Sequence, residues 1–137
     1  MNDKPGKEKD TTLTPMEIIN KLGPFDLDPC AYPNHVTANY LNIWPSDGLQ
    51  IHWFGKVWCN PPYSDPDPWL CKLANHGNGI ALVLASTDMK WFQNAAKTCD
   101  YMLFMSGRPK FLKIDGTKVQ LMRATCLIGW VKQEKKL

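Results

Sequence analysis

The sequence has 137 residues, 44% of them hydrophobic and 21% charged, with a formal net charge of +3. That is one domain's length with an ordinary globular composition, which sets aside a disordered low-complexity chain. No apolar run reaches the roughly 18 residues of a spanning helix, so no membrane-crossing segment is expected.

Residues 1–12 are charged and aperiodic and read as a flexible tail ahead of a single domain over 13–137. Thr14 and Pro15 open a helix through about Leu22. Pro15 suits the first helical position, Thr14 suits the cap, and Glu17 completes a capping box. Gly23-Pro24 stops it. Phe25–Asp28 reads as a short strand ending at Asp28-Pro29. Residues 29–56 mix Pro, Asn and Gly turn signals with aromatic residues, so short helices and loops are expected there.

Val57–Cys59 is a short apolar strand that must stop at Asn60-Pro61-Pro62, because two prolines cannot continue a central strand. Asp67–His76 follows as a helix with Trp69, Leu70, Leu73 and Ala74 on one face. Ile80–Ala85 is continuously apolar, the mark of a strand covered on both faces. A helix over Asp88–Thr98 and a second buried strand over Tyr101–Met105 come next. Residues 106–124 are a polar excursion without a helix, and Thr125–Val131 is the last strand.

Strands alternating with helices at this spacing predict an α/β fold with a mostly parallel sheet. The last strand is expected to be antiparallel, since a parallel return needs a crossover element. Ligands of such sheets bind beyond the carboxyl ends of the strands. Asp28-Pro29, Asn60-Pro61-Pro62-Tyr63, Ser86-Thr87-Asp88 and Ser106-Gly107-Arg108 all fall at such ends, on one rim.

Five cysteines, at 30, 59, 71, 99 and 126, form no C-x-x-C pair. The odd count and the spacing speak against a disulfide framework and a zinc site, and for a reducing compartment. The three histidines, 35, 52 and 76, stand apart from any second ligand pair, so no metal is expected. The first 22 residues lack the apolar block of an export signal, and a cytoplasmic location is expected. Charge is divided along the chain: residues 23–70 sum to −4 and residues 71–137 to +7. A basic half suits a polyanion, though a lysine-rich surface also serves solubility.

No phosphate loop, dinucleotide fingerprint or hydrolase triad signature is present. The informative block is Asn60-Pro61-Pro62-Tyr63-Ser64 after an apolar strand and before a helix. The prolines fix φ and carry no N–H, so the local carbonyls remain acceptors. The Asn60 side-chain oxygen and the Pro61 carbonyl can together accept both hydrogens of an exocyclic amine, leaving its lone pair directed at an electrophile. Tyr63 offers a flat face for a base, a contact worth about 1–3 kcal/mol. Arg108, Lys110 and Lys113 form a basic loop beside this rim, fit to hold the phosphates of a polyanion. Trp69, just after the block, suits either the wall of a base pocket or the core.

From about Thr14 to Val131 the chain resembles the phage-type DNA N6-adenine methyltransferases, the Dam-like family of S-adenosylmethionine-dependent enzymes. The matching pieces are Thr14-Pro15, Phe25–Ala31, Asp47-Gly48-Leu49 with Trp53, the NPPYS block, Trp69, Thr87-Asp88 with Trp91-Phe92, and Gly107–Phe111. The resemblance implies a compact Rossmann-like methyltransferase fold. It makes Asn60, Pro61, Pro62 and Tyr63 the catalytic motif. It places Asp28, Pro29 and Ala31 at a cofactor-contacting strand end, Asp47 near the cofactor's adenine or ribose, and Thr14 and Pro15 beside its methionine end. The glycine-rich cofactor loop of larger methyltransferases is missing, since Ala31 is followed by Tyr32-Pro33-Asn34-His35. A separate target-recognition domain is not expected within 137 residues, so specificity is expected to fall to loops 31–46 or 106–124, or to a partner subunit.

The expected activity is methyl transfer from S-adenosylmethionine to adenine N6 in double-stranded DNA, in the cytoplasm of a bacterial host if the chain is phage-encoded. Two alternatives stay open: another NPPY amino-methyltransferase, acting on RNA adenine, cytosine N4 or protein glutamine, and a non-catalytic DNA-binding relative. The sequence also leaves the oligomeric state open, a homodimer included.

Overall fold

The computed structural model describes residues 13–133, apart from Pro109, Ile114, Leu121 and Met122. The tail expected over 1–12 lies outside the described residues. Among the described residues three helices and eight strands follow one another: α1 (Met16–Leu22), β1 (Leu27–Ala31), β2 (Tyr40–Ile43), β3 (Val57–Cys59), α2 (Asp67–His76), β4 (Gly79–Leu84), α3 (Lys90–Thr98), β5 (Tyr101–Phe104), β6 (Lys110–Leu112), β7 (Lys118–Gln120) and β8 (Thr125–Trp130). Six strands form one sheet in the order β2-β1-β3-β4-β8-β5, and β6 and β7 form a separate hairpin.

The pairs β1–β2, β1–β3 and β3–β4 are parallel. The last strand, β8, is antiparallel as expected, and it inserts between β4 and β5. Both neighbours run opposite to β8, so β5 shares the direction of β4. The carboxyl ends of β1, β3, β4 and β5 therefore lie along one edge. This is the α/β arrangement with a mostly parallel sheet that the element order predicts, and it is compatible with the Rossmann-like fold that the resemblance implies.

Alternation along the inner strands sends side chains to two cores. Val57, Cys59, Ala81, Val83, Cys126 and Ile128 pack beneath α2 and α3 with Trp69, Leu73 and Phe92. Trp58, Ile80, Leu82 and Leu127 pack on the other face with Ile19 of α1 and with Phe111 of the hairpin. Among the described residues no helix is long and apolar enough to cross a membrane.

Several expectations need correction. The capping box is not formed: Pro15 is the N-cap of α1, with an extended ψ of 132°, and no side chain caps the helix. β1 does not end at Asp28-Pro29 but runs to Ala31, buried throughout. A proline in an inner strand removes a ladder donor, and the β1–β2 register accordingly shifts between Asp28 and Ala31. Residues 29–56 contain β2, a four-residue edge strand whose polar sequence masks it. β5 is an exposed edge rather than a buried strand, with Leu103 and Phe104 open to solvent. The excursion 106–124 holds the β6–β7 hairpin, fixed by the buried Phe111 and by paired backbone bonds between Leu112 and Leu13.

Candidate active site

β3 delivers Asn60 to the rim as a buried residue, with Pro61 and Pro62 buried behind it and Tyr63 half-buried. The Asp65 amide donates to the Pro62 carbonyl at 3.3 Å, closing a turn that leads into α2. Asn60 Nδ2 donates to Thr14 Oγ1 at 3.4 Å, which sets the orientation of the amide.

Asp28 stands on β1, the strand paired with β3, and is only 4% exposed. Its carboxylate accepts from the Cys30 amide at 2.9 Å and from the Thr37 hydroxyl. Burial raises its pKa to about 6, against the lowering effect of those two bonds. Thr37 comes from the loop between β1 and β2, as does His35. Burial lowers the His35 pKa, while a bond with the Thr14 backbone opposes that shift. His35 thus stays neutral at physiological pH.

These residues enclose one cavity, lined by Leu13, Thr14, Asp28, Tyr32, His35, Thr37, Trp58 and Asn60 among others. Two of its lining residues carry buried polar atoms without a hydrogen-bond partner among the described residues, His35 Nε2 and Trp58 Nε1. Buried polar groups left in this state are uncommon and mark a place where a polar ligand belongs. An acid, a neutral imidazole and an indole N–H together offer a small polar ligand both hydrogen-bond acceptors and a donor. The cavity volume is about 10 Å³, the size of a single water.

A second cavity, of about 330 Å³, opens on the other side of the motif. Pro61, Tyr63, Ser64, Val83, Ser86, Trp91 and Arg123 are among its lining residues. Asn60 belongs to the first cavity and Pro61 to the second, so the NPPY turn lies between a small polar niche and a larger cleft.

Of the expected cofactor residues, Thr14, Asp28 and Ala31 line the Asp28 cavity. Pro15 instead lines a groove beside α1, with Lys21, Lys110 and Lys118. Asp47 is exposed and its carboxylate accepts from the Leu49 amide at 3.0 Å, a turn contact. Asp47-Gly48-Leu49 nevertheless touches β1: a Cβ on Gly48 would collide with the Pro29 carbonyl, and Trp53 Nε1 donates to the Gly48 carbonyl at 2.8 Å. Trp69 is 2% exposed and stacks near Trp53, which puts it in the core. Arg108, Lys110 and Lys113 are exposed, and the hairpin that carries the lysines is bonded to Leu13, next to Thr14.

Sequence reasoning did not single out Thr37, His35, Trp58 or Arg123 as site residues. Arg123 was the most accessible of these, as one of two arginines and the second residue before the last strand. The other three carry no local signature and are gathered by the β1–β2 connection and the alternation of β3.

The model of the DNA N-6-adenine-methyltransferase (Dam) family matches residues 2–133. A DNA N-6-adenine-methyltransferase of Escherichia phage T1 is 33% identical over 108 residues, which cover 68% of this chain and 45% of that protein. The aligned part thus spans less than half the length of that relative. With the family model covering nearly every residue around both cavities, the chain belongs to the DNA N-6-adenine-methyltransferase (Dam) family.

Proposed function

We propose that the protein transfers a methyl group from S-adenosylmethionine to the exocyclic N6 amine of adenine in double-stranded DNA. The observation that carries this reading is the placement of Asn60-Pro61-Pro62-Tyr63 between the Asp28 cavity and the larger cleft. S-adenosylmethionine, when bound, supplies an electrophilic methyl group on a sulfonium. Asp28 holds the ammonium group of its amino-acid end, with His35, Trp58 and Thr14 around it. The Asn60 oxygen and the Pro61 carbonyl accept the two amine hydrogens and direct the nitrogen lone pair toward the donor side. They also stabilise the positive charge that grows on nitrogen as the bond forms. Tyr63 stacks on the extruded base. Most of the acceleration then comes from positioning two reactants in line. The chain's own groups need supply no strong base, because the amine proton is lost from an already cationic nitrogen.

The test is direct. The protein is incubated with unmethylated duplex DNA and methyl-labelled cofactor, and the DNA is digested to nucleosides. Label in N6-methyldeoxyadenosine supports the reading. Label in N4-methyldeoxycytidine replaces the substrate, and unlabelled DNA despite cofactor binding points to a non-catalytic relative.

A further inference from the structure

The cleft beside Tyr63 contains a cation that the methyl-transfer chemistry does not use. Arg123 lines it, is exposed, and donates from Nη2 to the Ser86 hydroxyl. Ser86 is 4% exposed and sits just past the carboxyl end of β4. The Met89 amide donates to its carbonyl at 2.9 Å, and the Ala85 amide donates to the Ala124 carbonyl at 2.8 Å. These bonds fasten the Arg123 segment to the end of β4, so the guanidinium has a fixed base.

We propose that Arg123 binds the phosphate of the target nucleotide, with Ser86 as its positioning residue; this rests on the adenine reading of the site. The lining divides by chemistry. Pro61, Val83, Leu84, Tyr63 and Trp91 give apolar and aromatic surface for a purine. Arg123 has five donors and no acceptor, and its planar fork matches a phosphate. One N–H goes to Ser86, and the others serve the ligand. Asp65 is the acidic group in the same lining, and it repels an anion. A phosphate therefore seats at the Arg123 end. A volume of about 330 Å³ is in the range of small-molecule sites and exceeds the need of a bare base.

The test separates base from phosphate. The parent protein is titrated with deoxyadenosine, deoxyadenosine monophosphate and inorganic phosphate, followed by ligand-observed NMR. A charge-assisted contact predicts about tenfold tighter binding of the monophosphate than of the nucleoside. Arg123→Ala is expected to bring the monophosphate down to the nucleoside's affinity while leaving nucleoside binding within twofold. Arg123→Lys keeps the charge and is expected to retain part of the preference; Ser86→Ala is expected to lose part of it. S-adenosylhomocysteine affinity within twofold of the parent shows that each variant is folded. Equal binding of nucleoside and monophosphate by the parent, no binding of either, or a preference that survives Arg123→Ala overturns the assignment. A parent that makes N6-methyladenine in DNA yet shows no monophosphate preference overturns Arg123 alone. A parent that makes none defeats the adenine reading itself.

Discussion

The Asn60 amide donates to the Thr14 hydroxyl at 3.4 Å, linking positions 46 apart in sequence. Thr14 is 2% exposed and has no part in capping α1. Its hydroxyl instead accepts from the nitrogen of the Asn60 amide. The entry to α1 is therefore part of the site, and the bond ties the Asp28 cavity to the NPPY turn.

Asn60→Ala removes an acceptor for the target amine. It is expected to abolish methyl transfer and leave cofactor affinity within a few-fold. Thr14→Val keeps the shape and removes the acceptor for Asn60, at a cost of about 0.5–1.5 kcal/mol. It is expected to slow single-turnover methylation several-fold, with little change in KM for DNA. A parent-like rate in Asn60→Ala removes that residue from the chemistry.

Burial lifts the Asp28 carboxyl to about 6. In the unfolded chain an aspartate titrates near about 4, so between those values the native state binds more protons. Stability then falls as pH rises through that window, and the loss is complete above about 6. Two pKa units correspond to about 3 kcal/mol. Asp28→Asn keeps an oxygen for Thr37 or Cys30 and has no charge to bury. It is expected to raise the melting temperature of the free protein above neutral pH and to flatten its pH dependence. The same change is expected to weaken cofactor binding by at least tenfold, since a charge-assisted bond is worth about 1.5–3 kcal/mol. Melts across pH and a titration with S-adenosylhomocysteine read the two effects separately; parallel melting curves for parent and variant would count against burial as the cause.

The sequence reveals the inner sheet because β3, β4 and β8 are apolar on both faces, whereas the equally buried β1 carries Asp28 and Pro29. It also reveals the NPPY turn, where two prolines leave the backbone little choice. β2 stays hidden because a short edge strand containing Asn42 carries no alternation; the Asn42 side chain is spent on the Pro29 and Ser46 carbonyls. Thr14 misleads for a similar reason. Threonine before proline and a helix fits a cap, and only the fold shows that Asn60 is its partner. Asp28 is legible as a residue, but its environment depends on Thr37, which the chain brings back by a loop.

Gly48 illustrates a constraint of packing. A Cβ there collides with the Pro29 carbonyl and meets the Trp69 ring at 3.0 Å. Neither neighbour is the tip of a flexible chain. Gly48→Ala is expected to destabilise the protein by about 1–3 kcal/mol, as overpacking does. Because Pro29 adjoins Asp28, cofactor affinity is expected to fall with it. A denaturant midpoint equal to the parent's shows that the loop yields without strain.

The hairpin offers the clearest test of where DNA lies. Phe111 is fully buried and pins β6 to the sheet, while Lys110 and Lys113 on either side are exposed. The Leu13–Leu112 bonds place this element next to Thr14, hence near the NPPY rim. The lysines thus project from a rigid mount rather than a free loop. Each phosphate contact releases counterions, so duplex affinity is expected to fall steeply with salt. Lys110→Ala or Lys113→Ala is expected to weaken binding across all sequences and to reduce the logarithmic salt slope by about one unit each. Arg108→Ala is expected to lower turnover more than duplex affinity if that residue fills the gap behind the flipped base. Phe111→Ala removes the mount: it is expected to cost about 3–5 kcal/mol of stability and to weaken DNA binding without touching a charge. Affinities over a salt series for the four variants decide the matter. Parent-like slopes and activity in the three charge variants mean that the duplex approaches from another face and that the hairpin's lysines are only a solvated surface.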